Sequence, residues 1–166
     1  MIFRDLPQGA SVFLDSNTLV YHFSLHPVLG AATRDLVHRV EHGDLFGFTS
    51  THIVAEVVHK LMLVEARSRF AWTQCKVTTR LKQHPDAVQQ LVQCFAALAQ
   101  LPNLHIQVCP ITAPIVESAS VLSRQTGLLT NDALVVAVMQ AQGLANLASN
   151  DADFDRVPGI HRYAPV

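Results

Sequence analysis

The sequence predicts a three-layer α/β/α fold, with a parallel sheet of about five strands between two layers of helices. Short apolar runs recur along the chain, and longer segments with helical spacing of apolar residues separate them. Parallel strands need a long crossover between them, usually a helix, so this alternation predicts a parallel sheet covered on both faces. The length of 166 residues suits one folding unit, and we expect a single domain over residues 1–166.

The first part of the chain alternates strand and helix. An apolar run predicts a strand at 11–14, and a helical pattern begins at Thr18. A second helix is expected over 31–41, where the apolar residues have helical spacing. The next strand is expected at 45–48, and a long apolar stripe predicts a helix from Ile53 to about Arg67.

The middle of the chain is predicted to be helical. Residues 68–101 have a helical pattern throughout, and we expect a break near His84-Pro85, because proline cannot continue a helix. The second of the two helices is expected to bury one apolar face, which consists of Leu91, Val92, Phe95, Leu98 and Leu101.

In the last third of the chain, the predicted strands and helices have clear ends. Residues 104–108 alternate as a strand does. Thr112 is a suitable N-cap for the next helix, and Gly127 follows the end of that helix. The helix expected over 131–142 is almost wholly apolar, which predicts burial on most sides. The last strands are expected at 146–148 and 160–163.

The composition limits the function. The net charge of −1 excludes an overall basic surface for nucleic acid, and a charged fraction of only 15% favours a partly covered surface. Cys75, Cys94 and Cys109 form no even-numbered framework, so we expect reduced, buried thiols. No apolar run is long enough for a membrane span, and the first ten residues lack a signal-peptide pattern. We therefore expect a cytoplasmic protein that contacts no membrane.

Four acidic residues lie at positions where strands end or within nearby helices. Asp15 and Asp151 follow predicted strands, Asp132 lies in the first turn of the apolar helix, and Glu56 lies within the long helix. Each has an ordinary alternative role, as a helix cap, a dipole partner or a solvated side chain. Taken together, carboxylates at the carboxyl ends of parallel strands favour a site for Mg²⁺ or Mn²⁺.

The order and spacing of these acids resemble the PIN-domain nucleases, and within them the VapC-like toxins. The segments that carry the resemblance are 13–20, 50–57, 127–134 and 148–154. The resemblance implies that the four acids are catalytic metal ligands, with Asp153 as a candidate fifth ligand. It also implies supporting roles for the small polar residues beside them, which are Ser16, Asn17 and Ser149.

The resemblance further implies a metal-dependent endoribonuclease that hydrolyses RNA and leaves a 5′-phosphate. Similar toxins are usually homodimers that a cognate antitoxin blocks, so we expect both partners. Two features depart from the family pattern: residues 1–10 precede the first strand, and the helical region at 66–103 is longer than in compact toxins. These departures bear on partner and substrate rather than on the acids.

Other functions fit the residues less well. A haloacid-dehalogenase-type phosphatase requires a second aspartate two residues after the first, where this chain has Asn17. A receiver domain requires a lysine after its fifth strand, and this sequence has none there. Zinc is disfavoured because His52 is the only histidine within the matching segments. A catalytically silent PIN scaffold and a Mg-dependent phosphatase-like hydrolase remain alternatives.

Overall fold

A computed structural model describes residues 1–72 and 76–166. It contains a five-stranded parallel sheet with helices on both faces, which confirms the predicted fold class. The strands are β1 (Ser11–Leu14), β2 (Phe46–Ser50), β3 (Gln107–Cys109), β4 (Asn146–Ala148) and β5 (His161–Tyr163).

The helices alternate with the strands as expected. They are α1 (Ser16–Phe23), α2 (Gly30–Glu41), α3 (Thr51–Arg69), α4 (Val77–Gln83), α5 (Pro85–Gln89), α6 (Gln93–Gln100), α7 (Ala113–Thr126) and α8 (Thr130–Ala141). Short 3-10 helices occur at Phe3–Asp5, Leu101–Leu104 and Ala152–Arg156. None of the helices in the described ranges combines the length and the hydrophobicity that a membrane span requires.

The strand order β3-β2-β1-β4-β5 places the reversal of strand order between β1 and β4. From β1 the chain moves outward through β2 to β3, and then returns to β4 on the other side of β1. Phe13 pairs with Phe48 of β2 and with Leu147 of β4. In open α/β sheets, the crevice at such a reversal is the usual ligand site.

The centre of the sheet is apolar and completely covered. Phe13, Leu14 and Leu147 are fully buried, as expected for strands with helices on both faces. Helix α8 buries five consecutive residues from Val135 to Met139, which confirms the expected burial on most sides. This packing fixes the carboxyl ends of β1 and β4 side by side.

The middle region differs from its prediction in two respects. The break at His84 is present, but a second break at 90–92 separates α5 from α6. The expected apolar face is wrong at three of its five positions: Leu91 and Leu101 are buried as expected, but Val92, Phe95 and Leu98 are exposed. Cys94 and Ala97 are buried in their place. The physical reason is a hydrogen bond from the amide of Cys94 to the buried carboxylate of Glu65, which fixes the rotation of α6.

The segment before β1 extends the sheet on its β5 edge. Ile2 forms a parallel bridge with Ala164, and Phe3 and Leu6 are buried in the core. The guanidinium of Arg39 donates hydrogen bonds to the carbonyl oxygens of Phe3 and Leu6, which ties this segment to α2.

The cysteines agree with the prediction where they are described. Cys94 and Cys109 are free and buried. Cys75 lies outside the described residues.

Candidate active site

The four acids predicted as ligands line one cleft at the carboxyl ends of β1 and β4. This cleft, called the acid cleft below, has a volume of about 110 Å³. Its lining consists of Asp15, Ser16, Asn17, Ile53, Glu56, Lys60, Asn131, Asp132, Val135 and Asp151. Residues from the β1–α1 junction, α1, α3, α8 and the loop after β4 therefore meet at the reversal of strand order.

Asp15 is the most enclosed of these acids, with only 7% of its surface exposed. It is the N-cap of α1, and its Oδ1 accepts a hydrogen bond of 2.6 Å from the amide of Ser16. Its Oδ2 accepts bonds from the Asn17 amide group at 2.6 Å and from the Ser149 hydroxyl at 2.7 Å. Burial raises the pKa of Asp15, while the bonds from Ser149 and Ser16 act in the opposite direction.

The predicted supporting residues tie the loop after β4 to the start of α1. The Ser149 hydroxyl, besides donating to Asp15, accepts a bond of 3.0 Å from the amide of Asp151. The Asn17 side-chain oxygen accepts a bond of 3.0 Å from the amide of Asn150. These bonds hold Asp151 close to Asp15, although 136 positions separate the two residues in the sequence.

Asp132 lies half-buried in the first turn of α8. Burial raises its pKa to about 6, and the negative charges of Asp151, Asp15, Asp153 and Glu56 add to that effect. Its carboxylate is therefore held in an environment that disfavours its charged form. A bound cation reverses this penalty, because it neutralises the surrounding charge.

Asp153 lies beside the acid cleft rather than in its lining. Asp132, Asp151 and Asp153 each present an oxygen, and these three oxygens lie within 4.8 Å of one another. Asp153 also forms an ion pair with Arg156, so part of its charge is already neutralised. The donor set consists of carboxylate oxygens, which suit Mg²⁺ or Mn²⁺ better than zinc.

Asp155 faces a different partner. Its two oxygens accept bonds of 2.7 and 2.8 Å from the guanidinium of Arg162, which also donates to the carbonyl oxygen of Ser149 at 3.2 Å. The hydrogen bond from Arg162 lowers the pKa of Asp155. Asp155 is thus paired with Arg162 outside the acid cleft. Through Arg162 it supports the loop that follows β4.

Glu56 shares the acid cleft with a basic residue, Lys60, which was not predicted from the sequence as a site residue. The Lys60 ammonium lies 2.8 Å from Oε1 of Glu56 and donates a bond of 2.9 Å to the Ser16 hydroxyl. The four-residue spacing on α3 places Glu56 and Lys60 on the same helical face. This spacing can be read from the sequence. Only the fold shows that this face borders the site.

Comparison with known protein families decides the family of the chain. The PIN domain family model matches residues 12–160, which is most of the sequence. The chain belongs to the PIN domain family. All four acids of this PIN domain lie within the matched range. A comparison with curated proteins finds no significant match.

Solved structures of toxins share this fold. The VapBC2 complex of Rickettsia felis, bound to a DNA fragment from its promoter, is 16% identical with a TM-score of 0.58, covering 93% of this chain and 98% of that one. VapC20 of Mycobacterium tuberculosis, described as a toxin that cleaves the sarcin-ricin loop, is 20% identical with a TM-score of 0.58, covering 87% and 92%. A toxin-antitoxin complex from Klebsiella pneumoniae is 17% identical with a TM-score of 0.54, covering 90% and 95%.

Proposed function

We propose that this PIN domain is a divalent-metal-dependent endoribonuclease, and that it is the toxin of a toxin-antitoxin pair. The observation that carries the proposal is the convergence of four acids in the acid cleft, where burial, together with repulsion from the neighbouring acids, raises the pKa of Asp132 to about 6. A protein keeps such a costly arrangement of charges for ligand binding or catalysis more often than for stability.

The residues that would hold Mg²⁺ or Mn²⁺ are Asp15, Glu56, Asp132 and Asp151, with Asp153 as an outer ligand. When bound, such an ion supplies a water of lowered pKa and neutralises charge on the phosphodiester. Ser149 and Asn17 orient Asp15 through their bonds to its Oδ2. Ser149 also fixes the loop that carries Asp151. These residues hold the acids in place before the substrate arrives.

Water is the favoured nucleophile, because the described thiols are unsuited to attack. Burial raises the pKa of Cys94 to about 11 and also raises the pKa of Cys109. A thiol must ionise to act as a nucleophile, and neither cysteine lines the acid cleft. Hydrolysis by an activated water would leave a 5′-phosphate on one RNA product.

The proposal includes a cognate antitoxin, a homodimer and a cytoplasmic location. Two of the structures with this fold are toxin-antitoxin complexes, from Rickettsia felis and Klebsiella pneumoniae. Val92, the N-cap of α6, and Phe95 and Leu98 within α6 are exposed, and apolar side chains of this kind are typical of covered surfaces. A small antitoxin-like gene beside the gene for this chain would support the pairing.

The test is cleavage of RNA by the pure protein. We expect Mn²⁺ to bind at neutral pH by calorimetry, to raise the melting temperature, and to support cleavage that EDTA abolishes. Binding weakens in acid, because protonated carboxylates are poor ligands. The matched control is Asp15→Asn, which removes a charged ligand. Mn²⁺ binding without cleavage by the wild type would favour the silent scaffold, and no Mn²⁺ binding would refute the metal site.

A further inference from the structure

A second, more open cleft adjoins the acid cleft. It has a volume of about 380 Å³ and is mainly polar; we call it the side cleft. Its lining consists of Asn17, Tyr21, Lys60, Asn150, Asp151 and Ala152. Three of these residues, Asn17, Lys60 and Asp151, also line the acid cleft, so the two clefts are continuous.

Lys60 stands at the junction of the two clefts. It is the single basic side chain in the linings of both, within the ranges that the structure describes. Its ammonium bonds to Ser16 and Glu56, yet the side chain is 41% exposed, so it remains accessible to a ligand. A phosphodiester that approaches four carboxylates needs positive charge, and an ammonium at the cleft junction provides it.

The far side of the side cleft offers groups that recognise a nucleobase. Tyr21 packs against His26 with ring centroids 4.7 Å apart, which restrains the tyrosine ring. The backbone amide of Asn150 donates to the side-chain oxygen of Asn17, and the Asn150 side-chain amide lies 3.5 Å from the Tyr21 hydroxyl, to which it donates. An aromatic face and an amide side chain are the groups that stack on and hydrogen-bond with unpaired bases.

We propose that the side cleft binds the nucleotide next to the cleaved bond of a single-stranded RNA. Lys60 holds the phosphate of that nucleotide, and Tyr21 and Asn150 contact its base. This inference rests on the proposed ribonuclease function and adds to it a nucleotide subsite with three contact residues. The RNA must be unpaired at this position, because a base within a duplex cannot reach the ring of Tyr21.

The test measures RNA binding apart from cleavage. A fluorescent single-stranded RNA oligonucleotide is titrated by anisotropy with protein in the Asp15→Asn background, with Mn²⁺ present and at several salt concentrations. Lys60→Met should raise the Kd about tenfold or more and reduce the slope of log Kd against log salt concentration by about 0.7. Lys60→Arg should keep the slope, because it keeps the charge. The matched control is Lys82→Met, an exposed lysine of α4 that lines neither cleft.

Tyr21 has its own pair of variants. Tyr21→Ala should weaken RNA binding by roughly 5- to 100-fold with an unchanged salt slope, because stacking involves no counterion release. Tyr21→Phe should keep most of the affinity, since the ring is retained. A fluorescent duplex RNA of the same sequence should bind more weakly than the single strand.

The possible outcomes are distinct. If Lys60→Met changes Mn²⁺ affinity but leaves RNA affinity and its salt slope unchanged, Lys60 only positions Glu56 and the side-cleft proposal is wrong. If the wild type cleaves no RNA while binding still depends on Lys60 and Tyr21, the side cleft stands and the ribonuclease proposal fails. Equal binding of duplex and single strand would also overturn the inference.

Discussion

Two carboxylates that are partly or fully buried, Glu65 of α3 and Asp132 of α8, have opposite environments. Asp132 lies among other acids, and burial with their repulsion raises its pKa to about 6. Glu65 is only 5% exposed, yet its oxygens accept bonds from the amides of Val92 at 2.7 Å and Cys94 at 3.0 Å. Burial alone raises the pKa of Glu65, but these backbone bonds outweigh it and the pKa is lowered.

The opposite pKa shifts of Glu65 and Asp132 indicate different roles for the two carboxylates. The protein itself satisfies the charge of Glu65, because the amides at the start of α6 complete its hydrogen bonding. Within the described residues, no hydrogen bond or positive charge of this kind offsets the charge of Asp132. The first arrangement stabilises the fold, whereas the second costs stability, and under the proposed function a bound cation would offset that cost. The predictions below test this contrast, from the largest effect to the smallest.

The largest effect is expected at Asp151. Asp151→Ala should reduce RNA cleavage by about 100-fold or more, because it removes a ligand at the end of β4. The fold should survive, since the side chain is exposed and, among the described residues, accepts a hydrogen bond only from the nearby amide of Asp153. Single-turnover cleavage and circular dichroism of the two proteins check this. Wild-type turnover in a folded Asp151→Ala protein would remove Asp151 from the site.

Glu65→Ala should have a large effect on stability and none on metal binding. The change leaves the amides of Val92 and Cys94 without acceptors, which costs about 3 kcal/mol of unfolding free energy. Glu65→Gln keeps one acceptor and should cost about half as much. Urea denaturation measures both variants, and calorimetry with Mn²⁺ should give wild-type affinity. A loss of less than about 1 kcal/mol in Glu65→Ala would contradict the assigned role.

In metal-free protein, Asp132→Asn should increase stability, whereas Glu65→Ala decreases it. The pKa of Asp132 in the folded state lies above the unfolded value of 3.8, so its ionisation costs stability as the pH rises through about 6. In EDTA at about pH 7, Asp132→Asn should therefore raise the melting temperature by a few degrees, and the gain should vanish near pH 4. With Mn²⁺ the sign should reverse, because the variant loses a ligand. If Asp132→Asn instead lowered the melting temperature in EDTA at neutral pH, the ionised Asp132 side chain would not be destabilising, and the assigned environment would be wrong.

The smallest effects are expected at the two acids that have arginine partners. Asp153→Ala should weaken cleavage only partly, because Arg156 already neutralises some of the Asp153 charge. Asp155→Ala should leave turnover near the wild-type rate, because its carboxylate is bound to Arg162 outside the acid cleft. Turnover and melting temperature of both variants provide the measurement. An inactive but well-folded Asp155→Ala protein would show that the fourth acid is misassigned.

Much of the sheet could be predicted from local pattern. The apolar run at 11–14 and the aspartate that follows it mark the end of β1 without any knowledge of the fold. The nearly unbroken apolar sequence of α8 likewise identifies a buried helix. Parallel strands then place their carboxyl ends at one edge, so the meeting of Asp15 with Asp151 follows from topology.

The rest depends on contacts between distant residues. Lys60 meets Ser16 across 44 positions, and Glu65 meets Val92 across 27. Contacts over such sequence separations produce no periodic pattern of residues, so they cannot be predicted from the sequence pattern. The rotation of α6 was predicted wrongly for this reason, because apolar spacing alone favoured Phe95 over Cys94 as the buried residue. A buried carboxylate can override such spacing, since an unsatisfied charge costs more than an exposed phenylalanine.

The long sequence separation between Asp15 and Ser149 has a consequence for synthesis of the protein. Strand β4 completes the centre of the sheet, yet it is translated after α8 and after most of the chain. A nascent chain that ends before residue 146 already contains Asp15, Glu56 and Asp132, but it lacks the hydroxyl that bonds to Asp15 and the loop that carries Asp151. Domains form their long-range contacts only when the required segments have left the ribosome. A complete acid cleft therefore cannot form until residues 146–151 have left the ribosome.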